Sequence, residues 1–69
     1  MATTNHMEML QNLEKAIKDQ LSNAKDRLVI VEQLRVDPMN EEAQKGLRVL
    51  SEENKELYRI SRELETFFS

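Results

Sequence analysis

Cysteine is absent from these 69 residues, so neither a disulfide staple nor a thiolate metal site is available. There is one histidine (His6), one glycine (Gly46) and one proline (Pro38), and tryptophan is missing. A lone histidine without cysteine makes no zinc site. Three aromatics, Tyr58, Phe67 and Phe68, are too few for a large globular core. The longest strictly aliphatic run is LVIV over 28–31, far short of the ~20 apolar residues that span a bilayer. The N-terminus has neither the basic region nor the apolar stretch of a secretory signal. A cytoplasmic protein without membrane association is the expectation. Residues 1–6 read as a flexible polar leader outside the fold, and "HM" over 6–7 is similar to a cloning junction.

What remains is helix-forming material. Apolar residues make up 39% and charged residues 33%, dominated by Leu, Glu, Lys, Arg and Gln. A chain this short is one domain whose core supplies only about 3–5 kcal/mol. Ten basic and thirteen acidic residues give a net charge of −3. The signs are interspersed, with no basic stripe to follow phosphates.

Leu10, Leu13, Ile17, Leu21, Ala24, Leu28, Val31 and Leu34 recur at steps of three and four, the stripe of an amphipathic helix over about 7–35. That helix is roughly 43 Å long at 1.5 Å per residue. Gln20 and Arg27 occupy positions where a strict seven-residue repeat wants apolar side chains. The second half, over about 38–68, follows a cleaner heptad: Ala43, Leu47, Leu50, Asn54, Leu57, Ser61, Leu64 and Phe68. Glu14–Lys18 and Glu41–Lys45 are expected surface pairs of favourable polarity.

Between the two stripes lies RVDPMNEE. Proline costs ~3 kcal/mol inside a helix and pushes Asp37 away from helical geometry. It is favoured at the first position of a new helix, with Asp before it, and Asn40 offers an alternative cap. Glu41 and Glu42 then suit the positive end of the helix dipole. The turn is expected at 36–38, folding the chain into an all-α antiparallel helical hairpin, coiled-coil-like and completed by a partner or a second copy. The alternative is one continuous kinked helix in a parallel coiled coil.

Within the seam, Asn54 is the place where an amide fixes register or partner number at a cost in stability. Gly46 allows close approach of a neighbouring helix, at about 1 kcal/mol of helix propensity. Leu47, Leu50, Leu57 and Leu64 supply the apolar layers. Val29, Ile30, Val36, Val49, Ile60 and Phe67 fall off the seam and read as a second apolar face for a protein partner. Scattered exposed aliphatics are the plainer explanation. No P-loop, dinucleotide fingerprint or nucleophile elbow occurs. The acidic pairs Glu41/Glu42 and Glu52/Glu53 suit solvated surface. No catalytic residue, cofactor or metal ligand is expected, and the chain reads as a non-enzyme.

A short cysteine-free hairpin with surplus apolar flanks over about 10–68 resembles the small co-chaperones of bacterial type III secretion needle subunits. The resemblance rests on size, pattern and the midpoint turn. It implies a hairpin that binds a larger helical-repeat chaperone, the two together holding the needle subunit soluble. ELYR, over 56–59, is similar to the plasmid RNA-binding hairpin that dimerises into a four-helix bundle. RNA binding needs a concentrated basic face, whereas Lys15, Lys18, Lys25 and Arg27 are interleaved with Glu14, Asp19 and Asp26. Three readings follow: a hetero-oligomeric co-chaperone or scaffold, a homodimeric four-helix bundle with a structural or regulatory role, and an RNA-binding dimer.

Overall fold

Two α-helices account for nearly all of residues 2–68, whose backbone this computed structural model describes, with side chains described over 6–68. Helix α1 is Ala2–Val36 and helix α2 is Glu41–Glu65, followed by a single 3-10 turn, Thr66–Phe68. No strand occurs among the described residues. Of the expected leader, Met1 lies outside the described residues, and Ala2–His6 are already helical. The 35 residues of α1 span about 53 Å, which accounts for the 54 Å long axis of the molecule.

The connection is longer than the sequence implied, running over residues 37–40 between Val36 and Glu41. The Asp37 amide makes the last helical bond, to the Gln33 carbonyl at 2.9 Å, and the Asn40 amide donates back to the Asp37 carbonyl at 3.2 Å. Asp first and Pro second is the residue order of a type I turn. The second helix therefore begins at Glu41, not near 38. Asn40 is its cap: the backbone there is extended (φ −67°, ψ 104°) and the side chain accepts from the Ala43 amide at 3.0 Å. Gln44 Nε2 donates to the Pro38 carbonyl at 2.7 Å and ties turn to helix. At the other end Thr66 Oγ1 donates to the Glu63 carbonyl at 2.6 Å.

The helices are antiparallel. Gln20 pairs with Ser61, Asn23 with Leu50 and Ile30 with Gly46, and the His6 ring lies 6.1 Å from the Phe68 ring. As numbers fall along α1 they rise along α2, so the continuous-helix alternative is excluded.

The seam of α2 is the expected one: Ala43 and Ser61 are buried, and Leu47, Leu50, Asn54, Leu57 and Leu64 are half-buried. Phe68, expected to complete it, is exposed. The seam of α1 is rotated. Only Leu13, Ala24 and Leu34 of the expected stripe are half-buried, while Leu10, Ile17, Leu21, Leu28 and Val31 are exposed. The residues that meet α2 are Ala16, Gln20, Asn23, Arg27, Ile30 and Leu34, again at alternating steps of four and three. Small residues explain the choice of line. Ala16, Ala43, Gly46 and Ser61 let the helices approach closely, and polar groups on both sides find partners across the join. The buried apolar side chains among the described residues are two alanines, Ala16 and Ala43.

Candidate interaction surface

At the centre of the seam lies a polar cluster. Asn23 is 2% exposed. Its Nδ2 donates to the Leu50 carbonyl at 2.9 Å and to Glu53 Oε1 at 3.3 Å, and its Oδ1 accepts from Arg27 Nε at 2.7 Å. Arg27 Nη2 reaches on to Asn54 Oδ1 at 3.3 Å, and Gln20 Nε2 donates to Ser61 Oγ at 3.3 Å. No buried side-chain nitrogen or oxygen among the described residues lacks a partner. Asn54 is thus tied to the opposite helix. Asn23, which carries more of the bonding, was not singled out. Its signal was the run Gln20, Asn23, Arg27, three polar residues at helical spacing that looked like interruptions and are the seam itself.

Gly46 serves the close approach expected of it: a Cβ there would lie 3.1 Å from Ile30 Cδ1. The same contact moves Ile30 off the free flank, because it is half-buried against α2. The other residues expected to bind a partner are exposed but scattered. Val29 and Val36 lie on the outer side of α1, Val49 on the outer side of α2, and Phe67 beyond the end of α2. Ile60 borders a groove of about 310 Å³ with Ala16, Leu57 and Leu64, flanked by Lys15 and Asp19. Tyr58 is exposed.

The contiguous apolar surface lies elsewhere. Leu10, Ile17, Leu21, Leu28 and Val31 form one strip along α1, about 100° around the helix from the seam. Leu21 is 58% and Leu28 is 65% exposed. Two shallow grooves follow the strip, one lined by Leu10, Leu13 and Ile17 and the other by Ala24, Leu28, Val31 and Leu47. A strip that long and regular is more than the scatter normal on a protein surface.

Several charged side chains elsewhere are paired along their own helix. Glu14–Lys18 forms as expected, at 3.6 Å, whereas Glu41–Lys45 is not among the ion pairs of the described residues. Arg59 bridges Glu56 at 2.9 Å and Glu63 at 2.8 Å. Its hydrogen bond and charge hold the Glu56 carboxyl below the usual carboxylate range. Arg62 lies over the Tyr58 ring, 5.8 Å from its centre, and donates to the hydroxyl, which raises its own affinity for the proton. The arginine of the ELYR stretch is therefore engaged by two carboxylates.

No group of three or more His, Asp or Glu residues among those described is placed to hold a metal. No helix among the described residues is long and apolar enough to cross a membrane. Compared with models of protein families, with curated proteins and with solved structures, the chain matches none.

Proposed function

We propose that this hairpin is a non-catalytic interaction module that docks on a helical protein surface through the exposed strip of α1. The observation that carries the reading is the division of labour on that helix. Its small and polar line is used against α2, and its leucine-rich line, the more apolar of the two, is left uncovered. Burying each exposed leucine would contribute about 1.5–3 kcal/mol, more than anything the intramolecular seam gains from its alanines.

A co-chaperone of type III secretion needle subunits is one concrete form of the reading, supported by chain length, the hairpin and the free apolar face. A structural or regulatory four-helix bundle is the other. In both, the chain binds a protein rather than nucleic acid, and the engagement of Arg59 by Glu56 and Glu63 supports that preference.

The test is the double variant Leu21→Asp with Leu28→Asp. Both side chains point to solvent, so circular dichroism of the dilute variant should match wild type, while association through the strip should fall at least a hundredfold. Undiminished association with intact helicity would show that the strip is not the docking face.

A further inference from the structure

Taking the strip as the docking face, we propose that its occupant is a second copy of this chain, laid antiparallel along α1 so that two hairpins close into a four-helix bundle. The proposal rests on that reading and adds the identity and direction of the partner.

The first support is periodicity. Leu10, Ile17, Leu21, Ala24, Leu28 and Val31 lie on a second seven-residue repeat, offset from the one that meets α2. Glu14, between Leu10 and Ile17, and Arg35, beyond Val31, fall on the same repeat. α1 thus carries two seams, and a helix that serves two neighbours is what a four-helix bundle requires.

Charge supplies the direction. Glu14 pairs with Lys18 at 3.6 Å near one end of the strip, and Arg35 with Glu32 at 3.4 Å near the other, all well exposed. In a parallel arrangement each Glu14 meets Glu14 and each Arg35 meets Arg35. In the antiparallel one, Glu14 faces the second copy's Arg35, and Lys18 faces the second copy's Glu32. The same register stacks Leu21 on the second copy's Leu28 and Ile17 on the second copy's Val31. The two-fold axis then passes beside Ala24, whose small side chain suits close contact. The one like-charged approach is Lys25 to its own copy at the outer edge, where a long stem carries the amine into water.

Area supplies the scale. The accessible surface is 5715 Å², whereas a compact monomer of 8.1 kDa exposes about 4,500 Å². The surplus of about 1,200 Å² exceeds the ~800 Å² that each partner contributes to an interface of standard size. A symmetric pairing uses one strip twice and leaves no open end.

Light scattering on the full chain at micromolar concentration should give twice the 8.1 kDa mass. Glu14→Arg and Arg35→Glu should each weaken the dimer about five- to tenfold, and the double swap should return it to within about threefold of wild type. Rescue is specific to the antiparallel pair. Along a single helix, the arginine introduced at position 14 would still oppose Lys18, and the glutamate introduced at position 35 would still oppose Glu32. Because the chain has no cysteine, single thiols report direction. Ala24→Cys should cross-link through a short bismaleimide. Leu10→Cys should not, with its two copies about 43 Å apart. Efficient cross-linking at both positions, or absence of rescue in the double swap, overturns the antiparallel pair. A monomer at about 100 µM overturns the second copy as occupant, and leaves the docking face to its own test with the aspartate variants.

Discussion

Asn23 bonds to Leu50, Glu53 and Arg27 at once, so its truncation to alanine leaves a guanidinium and a carbonyl confronting a small void. Losing a buried polar side chain whose partners cannot all reach water costs about 1–3 kcal/mol. Asn23→Ala should therefore lower the stability of the chain by about 2 kcal/mol, read as a reduced urea midpoint at unchanged slope. Removing both members should behave differently. Asn23→Leu with Arg27→Leu replaces a polar join by an apolar one of similar volume, and stability should hold or rise. What the double variant should lose is uniqueness of register, seen as broadened amide resonances. An Asn23→Ala stability within about 0.5 kcal/mol of wild type would mean that the amide does not couple the helices. Ile30 belongs to the same line: with Cδ1 packed at Gly46, Ile30→Asp should disrupt the hairpin.

At the level of the element, the turn depends on a division of roles between Asp37–Pro38, which stop α1, and Asn40, which starts α2. Asn40→Ala should cost about 1 kcal/mol, while Asn40→Asp, whose carboxylate also accepts from the Ala43 amide, should stay close to wild type. Equal losses in thermal midpoint for the two would place the cap elsewhere. This turn was legible in the sequence because proline and capping residues act locally; the choice between Asp37 and Asn40 as cap stayed open, and with it the start of α2 was placed three residues too early. The α2 seam was legible because Leu47, Leu50, Leu57 and Leu64 leave no competing line on that helix. α1 was misread because it offers two lines. Periodicity reports that an apolar strip will be covered, not which neighbour covers it. The winning line was hidden by polar residues, Gln20, Asn23 and Arg27, whose fitness depends on Ser61, Asn54 and the Leu50 carbonyl on a helix more than twenty residues away. Of the expected docking residues, Val29, Val36, Val49, Ile60 and Phe67 are exposed, but they are divided between the two helices, Val29 and Val36 on α1 and the other three on α2 and the turn after it. The contiguous surface is the very strip first assigned to the core.

Taken whole, the molecule is a rod of 54 × 17 × 14 Å with two buried apolar side chains, both alanine, among its described residues. A single polar seam between two helices is a marginal source of stability, and helices of this kind persist mainly through tertiary burial. If a second copy covers the leucine strip, folding and association share one free energy, and the melting temperature must depend on concentration. A hundredfold increase in protein above the dissociation constant should stabilise each copy by about 1.4 kcal/mol, which for a domain of this size raises the midpoint by about 5–10 °C. The variant combining Leu21→Asp and Leu28→Asp should melt at one temperature throughout, equal to that of wild type at high dilution. A wild-type midpoint indifferent to concentration would mean that the hairpin stands on its polar seam alone. Its leucines would then be held for a chain other than itself.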